Sequence, residues 1–502
     1  MNIKEVKEEV RKTLKTYLEK DEMGRYRIPQ VRQRPLFILG APGIGKTAIM
    51  EQIAAEEGVA LVSYTITHHT RQSAIGLPFI QEKSYGGKQY ETTEYTMSEI
   101  IASIYDTMEK TGLREGILFL DEINCVSETL APMMLQFLQE KRFGNYPVPE
   151  GFIIVTAGNP PEYNQSVREF DVATLDRIRR IDVEPDVDVF REYAYERSIH
   201  PSVLSYLEIR REDFYHMDFG AEGREFVTAR GWEDLSALLT AYERNQFSVS
   251  VQVIQEYLQC REIAVRFANY LELYRKYEDS YRIDDILAGS AQDADVARLA
   301  DASFDERISV VSMMLSRLQY RFEGISAENL YLKRLFGILR AYRDADRQLE
   351  DAYGNLSALL EKEENEILKK RTARLMTVLE GEAGDRLLGA FREIRKRAQG
   401  CHSYDEVMEV LRQFFQEEKD RIDQTETAAD QALTDALLFL RKVSEKEDNL
   451  RGSELVYFLS ELSTSYYSMD FLRQHGNQAY DECSRWMDTG AVRSDLLRRL
   501  GE

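Results

Sequence analysis

Short apolar runs alternate with amphipathic segments over roughly the first 190 residues of the chain. Leu36–Leu39, Val59–Tyr64, Ile117–Asp121, Phe152–Ala157 and Ile178–Val183 are each four to six residues long and bounded by polar or turn-forming residues. Runs of that length predict strands. Helical periodicity starts between them, near Thr47, Met97 and Ser127. Strands alternating with helices predict a parallel sheet covered by helices on both faces. Ahead of this region, Val6, Val10, Leu14 and Leu18 recur at nearly four-residue spacing and predict a helix from Ile3 to Lys20.

The stretch from Gly76 to Thr96 interrupts the alternation. Gly86-Gly87 sits between two runs of mixed polarity, which predicts a hairpin inserted at about 77–95. After about Asp186 the strand signals stop. Trp232, Leu235, Leu238, Leu239 and Tyr242 share one helix face; Tyr257, Cys260, Ala264, Phe267, Leu271 and Tyr274 share another. From about residue 281 the pattern reads as helix throughout, with Val407, Val410, Leu411, Phe414 and Phe415 as a clear stripe and Glu361–Arg371 as a solvated charged face. No proline follows Pro201, which suits long uninterrupted helices. The organisation expected is an N-terminal helix (1–28), an α/β core (29–190), a helical segment (191–280) and an all-α C-terminal region (281–502).

Composition narrows the function. A chain of 502 residues is long enough for two to four domains, and 43% hydrophobic residues supply real cores. A net charge of −22 weighs against a general nucleic-acid binder, which needs clustered Lys and Arg to neutralise phosphates. Cys125, Cys260, Cys401 and Cys483 show no CxxC spacing and read as reduced thiols of a cytosolic protein. The N-terminus is charged and no apolar run approaches the roughly 20 residues of a membrane span. A cytoplasmic protein without membrane contact is expected.

Against that background, GAPGIGKT carries the most specific chemistry. Gly40-x-x-x-x-Gly45-Lys46-Thr47 follows an apolar strand and opens a helix, the context a phosphate-binding loop requires. The loop residues expected to contact the nucleotide are Gly40, Pro42, Gly43, Gly45, Lys46, Thr47 and Ala48. Glycines let backbone N–H groups turn toward the phosphates, and the helix N-terminus adds its positive end. Lys46 is expected on the β- and γ-phosphates and the Thr47 hydroxyl on Mg2+. A second apolar strand ends in Asp121 and Glu122. Neighbouring strand residues face opposite ways, so Asp121 would hold the Mg2+ shell while Glu122 polarises the attacking water. A third strand ends at Asn159, whose amide would orient that water or simply open an Asn-Pro turn. Arg177, Arg179 and Arg180 cluster at the start of the last strand, where an arginine reaching across a subunit boundary would meet a neighbour's γ-phosphate. Arg230 lies in the first turn of a helix after a Thr228 cap; a cation there opposes the dipole and marks either a ligand or a bare surface position.

Three other signals carry less. His68-His69 has no Cys or His partner at ligand spacing. Cys125, beside the carboxylates, reads as a small buried thiol rather than a redox switch. The basic run Arg25–Arg34 suits the nucleotide or a subunit contact better than nucleic acid.

Together and in this order, these elements resemble the AAA+ ATPases and, within them, the MoxR family. The finer cues are DEIN at Asp121–Asn124, GLP at Gly76–Pro78 leading into the inserted hairpin, and LDR at Leu175–Arg177. The resemblance covers about residues 30–280. It implies a sheet of order 5-1-4-3-2 followed by a helical lid, ATP as the nucleotide, and a ring, usually hexameric, with ATP between subunits. Asn159 then looks like the sensor-1 residue, Arg177 like the arginine finger and Arg230 like sensor 2, with Arg179 and Arg180 as rivals for the finger. Cys125 stands where many relatives carry Arg, and Ile178 where Phe is usual. The family implies chaperone-like maturation or activation of a partner protein, often one with a von Willebrand A-type domain. The alternatives are a nucleotide-switched helical scaffold with little turnover, and a GTP-driven or nucleic-acid-remodelling P-loop motor.

Overall fold

The computed structural model describes residues 1–68, 76–163, 167, 170–197, 199–220, 223–344, 351–373, 375–446 and 453–488. The chain divides into two compact units: Met1–Asp186 with Glu366–Thr377, and Val187–Asn365 with the described residues from Val378 onward. His69 lies outside the described residues, and His68 ends a 3-10 turn, Ile66–His68.

The first unit begins with α1 (Ile3–Tyr17). It opens on a capping box: Asn2 Oδ1 accepts from the Glu5 amide at 2.9 Å, and Glu5 Oε2 accepts from the Asn2 amide at 3.0 Å. The helix stops short of the expected Lys20. Leu18 caps it by donating to the Leu14 carbonyl, and Lys20 pairs across an antiparallel bridge with Tyr26 instead. Val6, Val10 and Leu14 are buried, while Lys7 and Arg11 pair with Glu56 and Arg179 pairs with Glu9.

Next come β1 (Leu36–Gly40), α2 (Lys46–Glu57), β2 (Ala60–Thr65), β3 (Pro78–Tyr85), β4 (Lys88–Tyr95) and α3 (Glu99–Thr111). They are followed by β5 (Gly116–Asp121), α4 (Ala131–Glu140), β6 (Arg142–Phe143), β7 (Tyr146–Pro147), β8 (Phe152–Gly158), α5 (Val172–Leu175) and β9 (Arg179–Val183). Strands β2, β5, β8, β1 and β9 form one sheet in that spatial order, parallel throughout. Counting sheet strands alone from the β9 edge, the order reads 5-1-4-3-2. Counted along the whole chain it differs, because β3, β4, β6 and β7 intervene without joining the sheet. Every residue of β8 is buried, as is every residue of β5 except Asp121. Near-continuous apolar sequence is what a strand covered on both faces requires. The core beneath includes Phe119, Leu120, Ile104, Phe137 and Phe152.

The inserted segment is the antiparallel hairpin β3–β4, paired from Pro78↔Tyr95 to Tyr85↔Lys88. Gly86 and Gly87, at φ +58° and +80°, make its turn. At its base the Thr96 amide donates to the Leu77 carbonyl at 2.9 Å. The β6–β7 ladder was not foreseen, since two-residue strands are too short to show a period.

Among the described residues, the second unit is helical apart from one hairpin. Its elements begin with α6 (Val187–Glu196), α7 (Pro201–Ile209), β10 (His216–Gly220), β11 (Gly223–Val227), α8 (Ala229–Arg244), α9 (Val251–Tyr257) and α10 (Arg261–Tyr281). They continue with α11 (Ile283–Leu287), α12 (Asp293–Ala300), α13 (Phe304–Asp344), α14 (Ala352–Thr372, whose residues from Glu366 group with the first unit) and α15 (Val378–Ala398). The described chain closes with α16 (Tyr404–Lys446), α17 (Ser453–Thr464), α18 (Tyr466–His475) and α19 (Gln478–Asp488). Antiparallel β10 and β11 correct the expectation that strands end near Asp186. Five-residue strands carry too few apolar positions to separate a period of two from one of 3.6.

Residues 191–280 share this unit with the helices after residue 281. Trp232 anchors their core, with Tyr206 and Phe267 rings at 5.7 and 5.2 Å and its indole N–H donating to the Phe214 carbonyl at 3.1 Å. Tyr270 of α10 then ties α7 to α13: its hydroxyl donates to Ser205 Oγ at 2.7 Å and lies 2.8 Å from Ser309 Oγ. Every residue from Arg307 to Leu315 in α13 is buried. A helix covered on all sides has no single apolar stripe, so this one showed only as helix, not as a centre of packing.

One lysine gives the first unit a pH dependence. Lys141 is 6% exposed, and its ammonium donates to the carbonyls of Gln30 and Gln33 ahead of β1. Burial pushes its pKa from 10.5 down to about 8. The unfolded chain therefore binds this proton more tightly than the folded one does between those two values, so folding stability rises with pH across that window. Thermal melts of wild type and Lys141→Met at pH 8 and pH 10.5 test it. The gap between the two proteins is expected to change across the window in favour of wild type at high pH; a constant gap contradicts it.

Candidate nucleotide site

The C-terminal ends of β1, β5 and β8 are neighbours because β8 lies between the other two in the sheet. Each delivers one part of the site. After β1, the loop passes half-buried Pro42 and Gly43 and reaches Gly45, which caps α2 at φ +94°. That conformation favours glycine. It leaves the first N–H groups of a 12-residue helix aimed into the loop, where an anion is favoured. Ala48 follows in the first turn, half-buried.

Lys46 is only 8% exposed, so its ammonium needs acceptors. It donates to the carbonyls of Gly40 at 2.7 Å and Ala41 at 2.8 Å, and to Asn159 Oδ1 at 3.0 Å. Thr47 Oγ1 donates to Asp121 Oδ2 at 2.9 Å. A hydroxyl and a carboxylate held together beside a phosphate cradle are the donors a hard divalent cation takes. These residues therefore fit a Mg2+-bound nucleoside triphosphate, with the phosphates on Lys46 and the α2 N-terminus and the metal on Thr47 and Asp121.

Glu122 does not divide roles with Asp121 by strand alternation. The strand ends at Asp121, and Glu122 sits at φ +57°, a conformation that costs a non-glycine residue of the order of 1 kcal/mol. The Glu122 amide donates to Asp121 Oδ1 at 2.9 Å, and the Cys125 amide donates back to the Glu122 carbonyl at 2.9 Å. This turn throws the Glu122 side chain away from β5, where its Oε2 accepts from Thr67 Oγ1 at 2.7 Å. It also leaves Cys125 partly exposed, not buried as expected.

Two positioning residues went unnoticed in the sequence. One is Thr67, which holds Glu122. The other is Asn124, 3% exposed, whose Nδ2 donates to the Asn159 carbonyl at 2.8 Å. Asn124 packs so tightly on Gly158 that a Cβ there would lie 2.3 Å from its Oδ1. Asn124 thus sets the end of β8 and with it the direction of Asn159. Its signal was its place in DEIN, but its target lies 35 residues further on.

The arginines separate by their partners. Arg179 donates to Thr13 Oγ1 at 2.9 Å and pairs with Glu9; Arg180 pairs with Asp182 at 2.7 Å. Arg177 is exposed and makes no ion pair among the described residues, although its charge, after the hydrogen bonds from Thr174, helps lower the Asp171 carboxyl. Arg230 belongs to the second unit. It is exposed in the first turn of α8, whose Thr228 cap accepts from the Gly231 amide at 3.1 Å.

Residues 35–178 match the family model for an AAA domain of the dynein-related subfamily. This stretch is thus an AAA+ ATPase domain, a nucleotide-binding fold. The match takes in the site from Gly40 to Arg177 and leaves Arg230 outside it. No curated protein matches the chain.

Removing the Asn124 anchor tests the role of the β8 end. Asn124→Ala is expected to lower ATP turnover about 10-fold, the equivalent of one positioning hydrogen bond, with nucleotide affinity within about a factor of two. Single-turnover hydrolysis beside equilibrium binding of a fluorescent nucleotide measures both; an unchanged rate contradicts the assignment.

Proposed function

We propose that the chain is a MoxR-like AAA+ ATPase that assembles as a ring, hexameric by that likeness, and spends ATP on remodelling, maturing or activating a partner protein. The observation that carries the reading is the meeting of Lys46, Thr47, Asp121, Glu122 and Asn159 at adjacent strand ends. Bound Mg2+ supplies charge neutralisation on the phosphates. Lys46 and the α2 N-terminus bind and orient the triphosphate, while Thr47 and Asp121 hold the metal. Glu122, once released from Thr67, accepts the proton of the attacking water, and Asn159 orients that water.

Of the three arginines, Arg177 suits trans catalysis best, since Arg179 and Arg180 are occupied within their own unit. Arg230 is the candidate sensor contributed by the helical unit. The hairpin β3–β4 corresponds to the family's insert in the second helix. By the same likeness the client carries a von Willebrand A-type domain. The net charge of −22 weighs against nucleic acid, and four cysteines outside disulfides suit a cytoplasmic setting.

Complementation between two silent variants gives the sharpest test. Glu122→Gln and Arg177→Ala are each expected to lose at least about 100-fold in turnover. Mixed, they regain a fraction of it, because an Arg177→Ala site completed by a Glu122→Gln neighbour has all its parts. Native mass with and without ATP reports the ring. A mixture as silent as its components removes the trans role of Arg177, and tight ATP binding with negligible wild-type turnover favours the scaffold.

A further inference from the structure

We propose that His216, Glu225 and Cys260 of the helical unit bind a divalent transition-metal ion of the zinc class. Among the described residues, one nitrogen, one carboxylate oxygen and one sulfur of these three lie within 4.8 Å of one another. None is in the nucleotide site, and the inference does not depend on that site's function.

Three elements build the group. In the β10–β11 ladder His216 pairs with Val227 and Asp218 with Glu225. Alternation therefore puts His216, Asp218 and Glu225 on one face, with His216 diagonal to Glu225. Phe226 donates its amide to the Gln259 carbonyl at 3.0 Å, which draws the entry to α10 alongside β11. Cys260, the cap of α10, then arrives with its Sγ 3.4 Å from Glu225 Oε2. Burial, with the Glu225 carboxylate beside it, pushes the Cys260 thiol up, so an ion bound here would displace the proton that the thiol shares with Glu225.

A second observation points to a cation. Asp218 and Glu225 are both exposed and directly opposed in the ladder. Like charges so placed destabilise a hairpin; a divalent ion on that face reverses the sign. Asp218 shares this face, but it is not among the three donors that lie within 4.8 Å of one another. Nitrogen, oxygen and sulfur donors together select zinc-like ions over Mg2+ or Ca2+, which prefer oxygen alone. Tetrahedral bonds would draw the donors to roughly 3.3–3.8 Å apart, a small contraction. The ion would clip β11 to the start of α10. Val227 then leads directly through the Thr228 cap into the turn that carries Arg230.

Cobalt(II) titration of the reduced full-length chain tests the site. One equivalent is expected to give the near-ultraviolet sulfur-to-cobalt band and the intense visible bands of tetrahedral coordination. Cobalt on Thr47 and Asp121 has no sulfur ligand and gives no such band. Cys260→Ser is expected to abolish the band and Cys401→Ser to keep it, while His216→Gln and Glu225→Gln weaken zinc affinity by about 10-fold or more. Glu225 is exposed, so its variant remains informative if Cys260→Ser fails to fold. Zinc is further expected to raise the Tm of wild type more than that of Glu225→Gln. No sulfur band in wild type, a band that persists in Cys260→Ser, or undiminished zinc affinity in both His216→Gln and Glu225→Gln overturns the proposal; the cluster is then a helix cap in which Glu225 serves only Cys260 and the Arg261 amide.

Discussion

A buried ammonium organises the first unit. Lys46 is all but removed from water, and a charge there must be matched by acceptors or it destabilises the fold. Its acceptors are the Gly40 and Ala41 carbonyls and the Asn159 amide oxygen, so the loop after β1 and the end of β8 are fixed together. Asn124 then fixes that end of β8 from the other side, and Thr47 joins the start of α2 to the end of β5. A single requirement, satisfying one cation, thus brings the loop after β1, the Thr47–Asp121 pair and the Asn159 amide within reach of each other. The parallel sheet makes this possible because it brings all its strand ends to the same edge.

Glu122, the carboxylate proposed to activate water, is held differently from its neighbours. Asp121 ends a regular strand; Glu122 is turned out of it by a left-handed backbone and bonded to Thr67. The strain and the hydroxyl bond act in the same place, on the residue to which the proposed function gives the water-activating role. Backbone strain at a reactive residue persists only where the surroundings impose it. Here the Cys125 amide and the Asp121 carboxylate do so.

The helical unit depends on packing and on buried ion pairs. Arg191 pairs with Glu208 at 2.7 Å and with Glu461 at 2.6 Å, and Arg307 pairs with Glu454 at 2.9 Å. The Arg191–Glu461 and Arg307–Glu454 pairs each join residues more than a hundred positions apart. Buried pairs add little net stability over apolar packing, but losing one partner is costly, so they bind the N-terminal helices of this unit to its C-terminal ones. Around them Trp232, Tyr206 and Phe267 form one centre, and Phe322 stacks on Phe471 at 4.5 Å in another.

Local sequence was enough for the five sheet strands, the phosphate loop and the acidic strand end, because each rests on a short contiguous pattern: an apolar run, glycines at fixed spacing, two adjacent carboxylates. The Gly86-Gly87 hairpin was legible for the same reason. Residues 1–190 therefore declared their class before any contact was known. Only the tertiary structure decided which arginine is left without an ion pair among the described residues, since Arg179 finds Glu9 some 170 residues away. It alone turned Glu122 off its strand, set Asn124 against Asn159, and put His216, Glu225 and Cys260 on one spot. Those three belong to two five-residue strands and a helix cap, with no motif spacing among them. Side chains that meet through folding leave no period in the chain, because their separation along the sequence is set by the path of the backbone and not by the chemistry they share.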